Sequence, residues 1–119
     1  MITLGDEVGP FQLSIIISEE ENGLHIRSVG TVPFGEIEAN HNLKYSDKTK
    51  TIGFVEAESV VTLPTGGKLE VDFRGSFKME GHKIIARYIE LIADGTHLLH
   101  EAVFDLNEKT NTFSFRKFV

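Results

Sequence analysis

The chain has 119 residues, a formal net charge of −6 and no cysteine. That length suits one domain, since single cores typically serve about 100 to 150 residues, and residues 1–119 are read as one. The acidic balance argues against nucleic acid and anionic membranes as partners, because both are recognised by clustered Lys and Arg, and without cysteine there is no disulfide, thiolate nucleophile or thiolate metal site.

In chain order, stretches rich in β-branched and aromatic residues run over Phe11 to Ser18, Leu24 to Val32, Phe34 to Tyr45, Thr51 to Leu63, Lys68 to Met79, Lys83 to Ala93, Thr96 to Leu106 and Thr112 to Val119. These compositions predict eight strands. Turn signals separate them at Asn22-Gly23, Ser46 to Lys50, Pro64 to Gly67, Glu80-Gly81, Asp94-Gly95 and Asn107 to Asn111, with the even spacing of successive hairpins. The clearest strand is Lys68 to Met79, where Leu69, Val71, Phe73, Gly75 and Phe77 alternate with Glu70, Asp72, Arg74, Ser76 and Lys78. The segment 83–106 also fits a helical stripe, through Ile84, Ile85, Tyr88, Ile89 and Ile92 and through Leu98, Leu99, Ala102, Val103 and Leu106, and a helix there would make the fold α+β. Strands are preferred because Asp94-Gly95 is a hairpin dipeptide and isoleucine favours extended backbone.

Hairpin registers test this reading, because a slip of one residue turns a whole strand inside out. A two-residue turn at Glu80-Gly81 sets Phe77 opposite Ile84, Gly75 opposite Ala86 and Phe73 opposite Tyr88. A three-residue loop Ala93-Asp94-Gly95 then lays Leu98, His100, Ala102 and Phe104 on the same face. Odd-length connections near 65–68 and 47–50 add Val55, Ala57, Val61 and Leu63, and then Ile37, Ala39, His41, Leu43 and Tyr45. Eight antiparallel strands with short turns remove their exposed edges by closing, so the expected fold is all-β, an antiparallel up-and-down barrel of calycin-like architecture. A two-layer β-sandwich is the runner-up, since Ile85, Ile89 and Leu91 form a second apolar face on one strand.

The inner face is interrupted by His41, Ser59, Tyr88, Glu90 and His100. A carboxylate on an apolar face is costly unless paired, so Glu90 calls for a partner, and His100 on the next strand is within reach. His41, Tyr88, Glu90 and His100 are therefore the candidate ligand-binding residues; the plain alternative is a satisfied polar pair at a barrel rim. His41, Glu90 and His100 could in principle hold zinc, although core or surface histidines are the simpler reading, and no metal or other cofactor is expected. His97 and His100 are on opposite faces of a strand. On the polar face, Glu58 is expected to pair with Arg74 beside Glu56 and Asp72, while Arg87, between Ile85 and Ile89, either snorkels or anchors an acidic group.

No nucleotide loop, nucleophile elbow, calcium loop or glycosylation sequon is present. The predicted architecture resembles lipocalin-like and fatty-acid-binding barrels, whose fold implies a small apolar ligand held inside. The chain has no tryptophan and hence lacks the lipocalin G-x-W pattern, so the resemblance is architectural only. The first expectation is non-enzymatic binding of a small, partly apolar ligand inside the barrel. The alternatives are a sandwich-type assembly module and a small barrel isomerase or cyclase using the Glu90/His100 pair. A homo-oligomer is compatible with either sheet arrangement. Met1 to Glu21 carries acids rather than a basic n-region and no apolar run approaches the roughly 20 residues of a membrane helix, so a reducing, cytoplasmic setting is expected.

Overall fold

The structure, a computed structural model, describes residues 3–118. Val119, expected at the end of the last strand, lies outside the described residues. Eight strands follow one another: β1 (Val8–Glu20), β2 (Gly23–Val32), β3 (Gly35–Tyr45), β4 (Ile52–Thr62), β5 (Lys68–Glu80), β6 (Lys83–Ile92), β7 (His97–Asp105) and β8 (Thr110–Lys117). Each pairs antiparallel with its sequence neighbours, and β1 pairs with β8 to close an up-and-down barrel. The segment considered as a helix forms β6 and β7. The described residues contain no helix long and apolar enough to cross a membrane.

Closure also answers the sandwich alternative, because one continuous sheet curls round and packs its inner face on itself. In β4 and β6 buried and exposed residues alternate almost without a break, as expected when only one face is dry. The other face of β6 meets water, so Ile89 and Leu91 stay exposed where a second layer would have covered them. Arg87 reaches across to Glu101, at 4.0 Å, with both side chains largely in solvent. Arg74 pairs with Glu56 at 2.6 Å. The expected partner, Glu58, sits opposite Asp72, because the β4–β5 register sets Glu56 against Arg74.

Several turns differ in position from the sequence reading. The β5–β6 turn is 81–82, with Gly81 at φ +62°. Its glycine occupies the first turn position, where a two-residue hairpin takes positive φ. Phe77 therefore faces Ala86, Gly75 faces Tyr88 and Phe73 faces Glu90. The offset from the expected pairing is even, so every side chain keeps its face. The β1–β2 turn is 21–22, with Gly23 already in β2. Phe34 belongs to the 33–34 turn rather than to β3, and its ring folds over the barrel end onto Phe11 at 5.3 Å. The loop before β7 follows expectation: Ile92 N–H donates to Thr96 O, and Gly95 has φ +92°.

The connections alternate between two ends. One end carries 21–22, 46–51, 81–82 and 106–109; the other carries 33–34, 63–67 and 93–96 together with the start of β1 and the end of β8. Toward the first end, Ile26, Leu43, Val55, Phe77, Ile84 and Phe104 are buried against one another. Toward the second the packing opens.

Candidate functional site

The second end contains a cavity of about 320 Å³ inside the barrel, walled by side chains that include Leu13, Ala39, Val61, Val71, Phe73, Leu98, Phe113 and Phe115. Phe34, Asp94, Thr96 and Lys117 stand near its mouth, on the turn and loop segments and strand end of that side. His41, Ser59, Glu90, His100 and Asn111 supply its polar atoms.

All four residues expected from the sequence are inward and buried: His41, Tyr88, Glu90 and His100. They form two groups. In the first, Glu90 Oε2 lies 3.2 Å from His100 Nδ1. Tyr88 faces His100 directly across β6 and β7, and Glu90 is two positions further along β6, so the carboxylate meets the imidazole diagonally. The His100 ring lies parallel to Phe113 at 5.1 Å and edge-on to Phe73 at 5.0 Å, which confines its plane. At 8% and 6% exposure, Glu90 and His100 form a hydrogen bond to a carboxylate largely withdrawn from water.

The second group runs deeper. His41 Nδ1 lies 3.1 Å from the Tyr88 hydroxyl and Nε2 lies 3.2 Å from Ser28 Oγ. Asn111 Nδ2 donates to Ser28 Oγ at 3.1 Å. Burial, helped by the nearby His100 and His25, pushes the His41 pKa down to about 3, so the ring is neutral. Burial likewise raises the Tyr88 phenol, which stays protonated. Tyr88 is not among the cavity-lining residues; it supports the wall through His41. Gly75 makes room for this arrangement, because a Cβ there would lie 1.7 Å from the Arg87 carbonyl oxygen on β6. Only glycine allows β5 and β6 to approach so closely beside Tyr88.

Ser28 and Asn111 escaped the sequence reading because its inner face was traced through β3 to β7 only. The signal was present: Ser28 follows Leu24 and Ile26 at alternate positions, and Asn111 precedes Phe113 and Phe115 in the same way. Asn111 Oδ1 is the one buried side-chain polar atom among the described residues that lacks a hydrogen-bond partner.

Among the described residues no three His, Asp or Glu side chains are grouped so as to hold a metal ion. Both ring nitrogens of His41 are engaged by Ser28 and Tyr88. His97 is exposed while His100 is buried, as the alternation of a strand requires. A wider concavity of about 840 Å³ lies on the outer face of β2 to β5 beside Glu36, Glu38, Glu58, Glu70 and Asp72. Its acidic side chains are exposed and solvated, so no buried polar group there calls for a ligand. Comparison of the chain with family models, curated proteins and solved structures yields no match.

Proposed function

We propose that the protein binds a small, partly apolar molecule inside the barrel and leaves it chemically unchanged. Glu90 and His100 contact its polar end, and His41, held by Tyr88 and Ser28, borders the cavity beside them. The observation that carries this reading is the cavity of about 320 Å³, open at one end and walled mainly by apolar side chains with a buried carboxylate–imidazole pair. That volume is at the small end of the roughly 300–1,000 Å³ typical of small-molecule sites. A cysteine-free chain suits a reducing, cytoplasmic setting for such a binder.

Native mass spectrometry and thermal-shift assays with a panel of small aromatic alcohols, amines and acids test this. At least one class is expected to bind one-to-one and raise Tm. Val71→Phe, which fills the cavity from β5, is expected to abolish that shift. Binding undiminished in Val71→Phe, or no shift from any class, would refute the reading.

A second reading is favoured by one detail. Glu90 holds His100 Nδ1, and His100 Nε2 makes no hydrogen bond with the described residues, the disposition of a general base in a proton transfer such as isomerisation. Any isomerase activity detected should then be lost in His100→Ala and sharply reduced in Glu90→Gln; activity unchanged in both excludes it.

A further inference from the structure

The polar atoms that the cavity leaves free share one character. A carboxylate has no proton to give, so in the Glu90–His100 contact Nδ1 carries the hydrogen and donates to Oε2. On a neutral imidazole, Nε2 is then an acceptor. Glu90 Oε1 is an acceptor too, and neither atom hydrogen-bonds to any described residue. Neither is sealed from the cavity: among the described residues the only buried unpartnered side-chain atom is Asn111 Oδ1, again an acceptor. Among the described residues the one Lys or Arg that borders the cavity is Lys117, exposed at its mouth and accompanied by Asp94. The apolar wall includes Phe73, Phe113 and Phe115, whose ring faces attract cations.

We infer that the cavity takes a small organic cation, a protonated amine on a mainly apolar skeleton, with its N–H groups on Glu90 Oε1 and His100 Nε2; this rests on the binding role proposed above. An ammonium supplies donors for both open acceptors and balances a carboxylate that the surrounding wall leaves without a fixed cation. A carboxylate ligand would set acceptor against acceptor beside Glu90, and an alcohol has one donor for two positions.

Three probes on one skeleton separate these chemistries: phenethylamine, phenethyl alcohol and phenylacetate, titrated calorimetrically into the full chain near neutral pH, with toluene as an apolar control. The amine is expected to bind about 10-fold or more tighter than the alcohol, a difference of about 1.4 kcal/mol, and phenylacetate weakest. Glu90→Gln is expected to bring the amine to the alcohol's affinity while changing the alcohol by no more than about twofold, the difference between a charged and a neutral hydrogen bond. Lys44→Ala, exposed on the outer face of β3, is expected to keep the wild-type order. Where Glu90→Gln fails to fold, the order of the three probes on the wild-type chain decides alone. Alcohol, acid or toluene binding as well as or better than the amine overturns the cation while leaving the binding role intact. If none of the four binds, both fall together.

Discussion

The two halves of this barrel are built from the same strands, with the same alternation, and differ in what the inward positions carry. Toward the end bearing the turns at 21–22 and 81–82, they hold Ile26, Leu43, Phe77, Ile84 and Phe104, and the interior is filled. Toward the other end they hold Ala39, Ser59, Val61, Val71 and Glu90, and a cavity of about 320 Å³ remains. The volume carried at the inward positions of each half separates core from container. Tied loops occur at both ends, since Asp94 in the 93–96 loop of the open end accepts from the amide of Thr96. Asp47 ties the 46–51 loop of the filled end through Thr49, Thr51 and the amide of Ile52, which holds its carboxyl below the usual range. At the same end Asp105 accepts from the amides of Asn107 and Glu108. The filled half acts as a base on which the open half can keep a costly void.

The sharpest test of that division is one chemical change made in each half. Leu43→Ala, in the filled half, is expected to cost about 4 kcal/mol, within the range for buried leucines that leave a new cavity. Leu98→Ala, at the cavity wall, is expected to cost about 2 kcal/mol or less, because its side chain already borders open space. Urea unfolding measures both, and equal losses would erase the contrast.

Acid should act at the boundary between the halves, where His41 sits. Its pKa is about 3 in the folded protein against 6.5 for a free histidine side chain, so between those values the unfolded chain takes up a proton that the folded chain does not. Stability therefore falls as pH drops through that window, by about 1 kcal/mol per pH unit from this residue, and its full contribution is retained above pH 6.5. His41→Gln, which keeps hydrogen-bonding capacity without titrating, is expected to show a shallower loss on acidification. Identical slopes in the two proteins would mean that His41 is not sealed as described.

The smallest effect belongs to the outside. Glu56 and Arg74 are both 72% exposed and 2.6 Å apart, so Glu56→Gln is expected to change stability by no more than about 0.5 kcal/mol. A larger loss, read from the same urea curves, would show that the outer face contributes to the difference now assigned to the interior.

Much of the fold was legible because strand alternation and turn chemistry are local. The β6–β7 pairing was readable because Asp94-Gly95 marks the turn and a three-residue loop 93–95, with its glycine at positive φ, keeps Leu98, His100, Ala102 and Phe104 on the inner face. At 80–82 the same reasoning misplaced the turn by one residue, because Glu80-Gly81 and Gly81-His82 both contain the glycine. Faces survived the error and neighbours did not: Phe73 was set against Tyr88 and instead faces Glu90. Phe34 and Leu63 illustrate a limit of composition, because an aromatic or aliphatic residue at a barrel mouth reads as strand whether it extends the ladder or folds over the end.

By itself the sequence determined that the chain is β, where it turns, and which side of each traced strand carries His41, Tyr88, Glu90 and His100, because period-two alternation and turn residues act over a few neighbours. Only the tertiary structure decided that β1 meets β8, that His41 reaches Tyr88 across 47 residues, that Ser28 and Asn111 complete that network, and that one half is hollow. Closure and cavity volume depend on stagger and on side chains summed around the whole barrel, and no local stretch of sequence contains those sums.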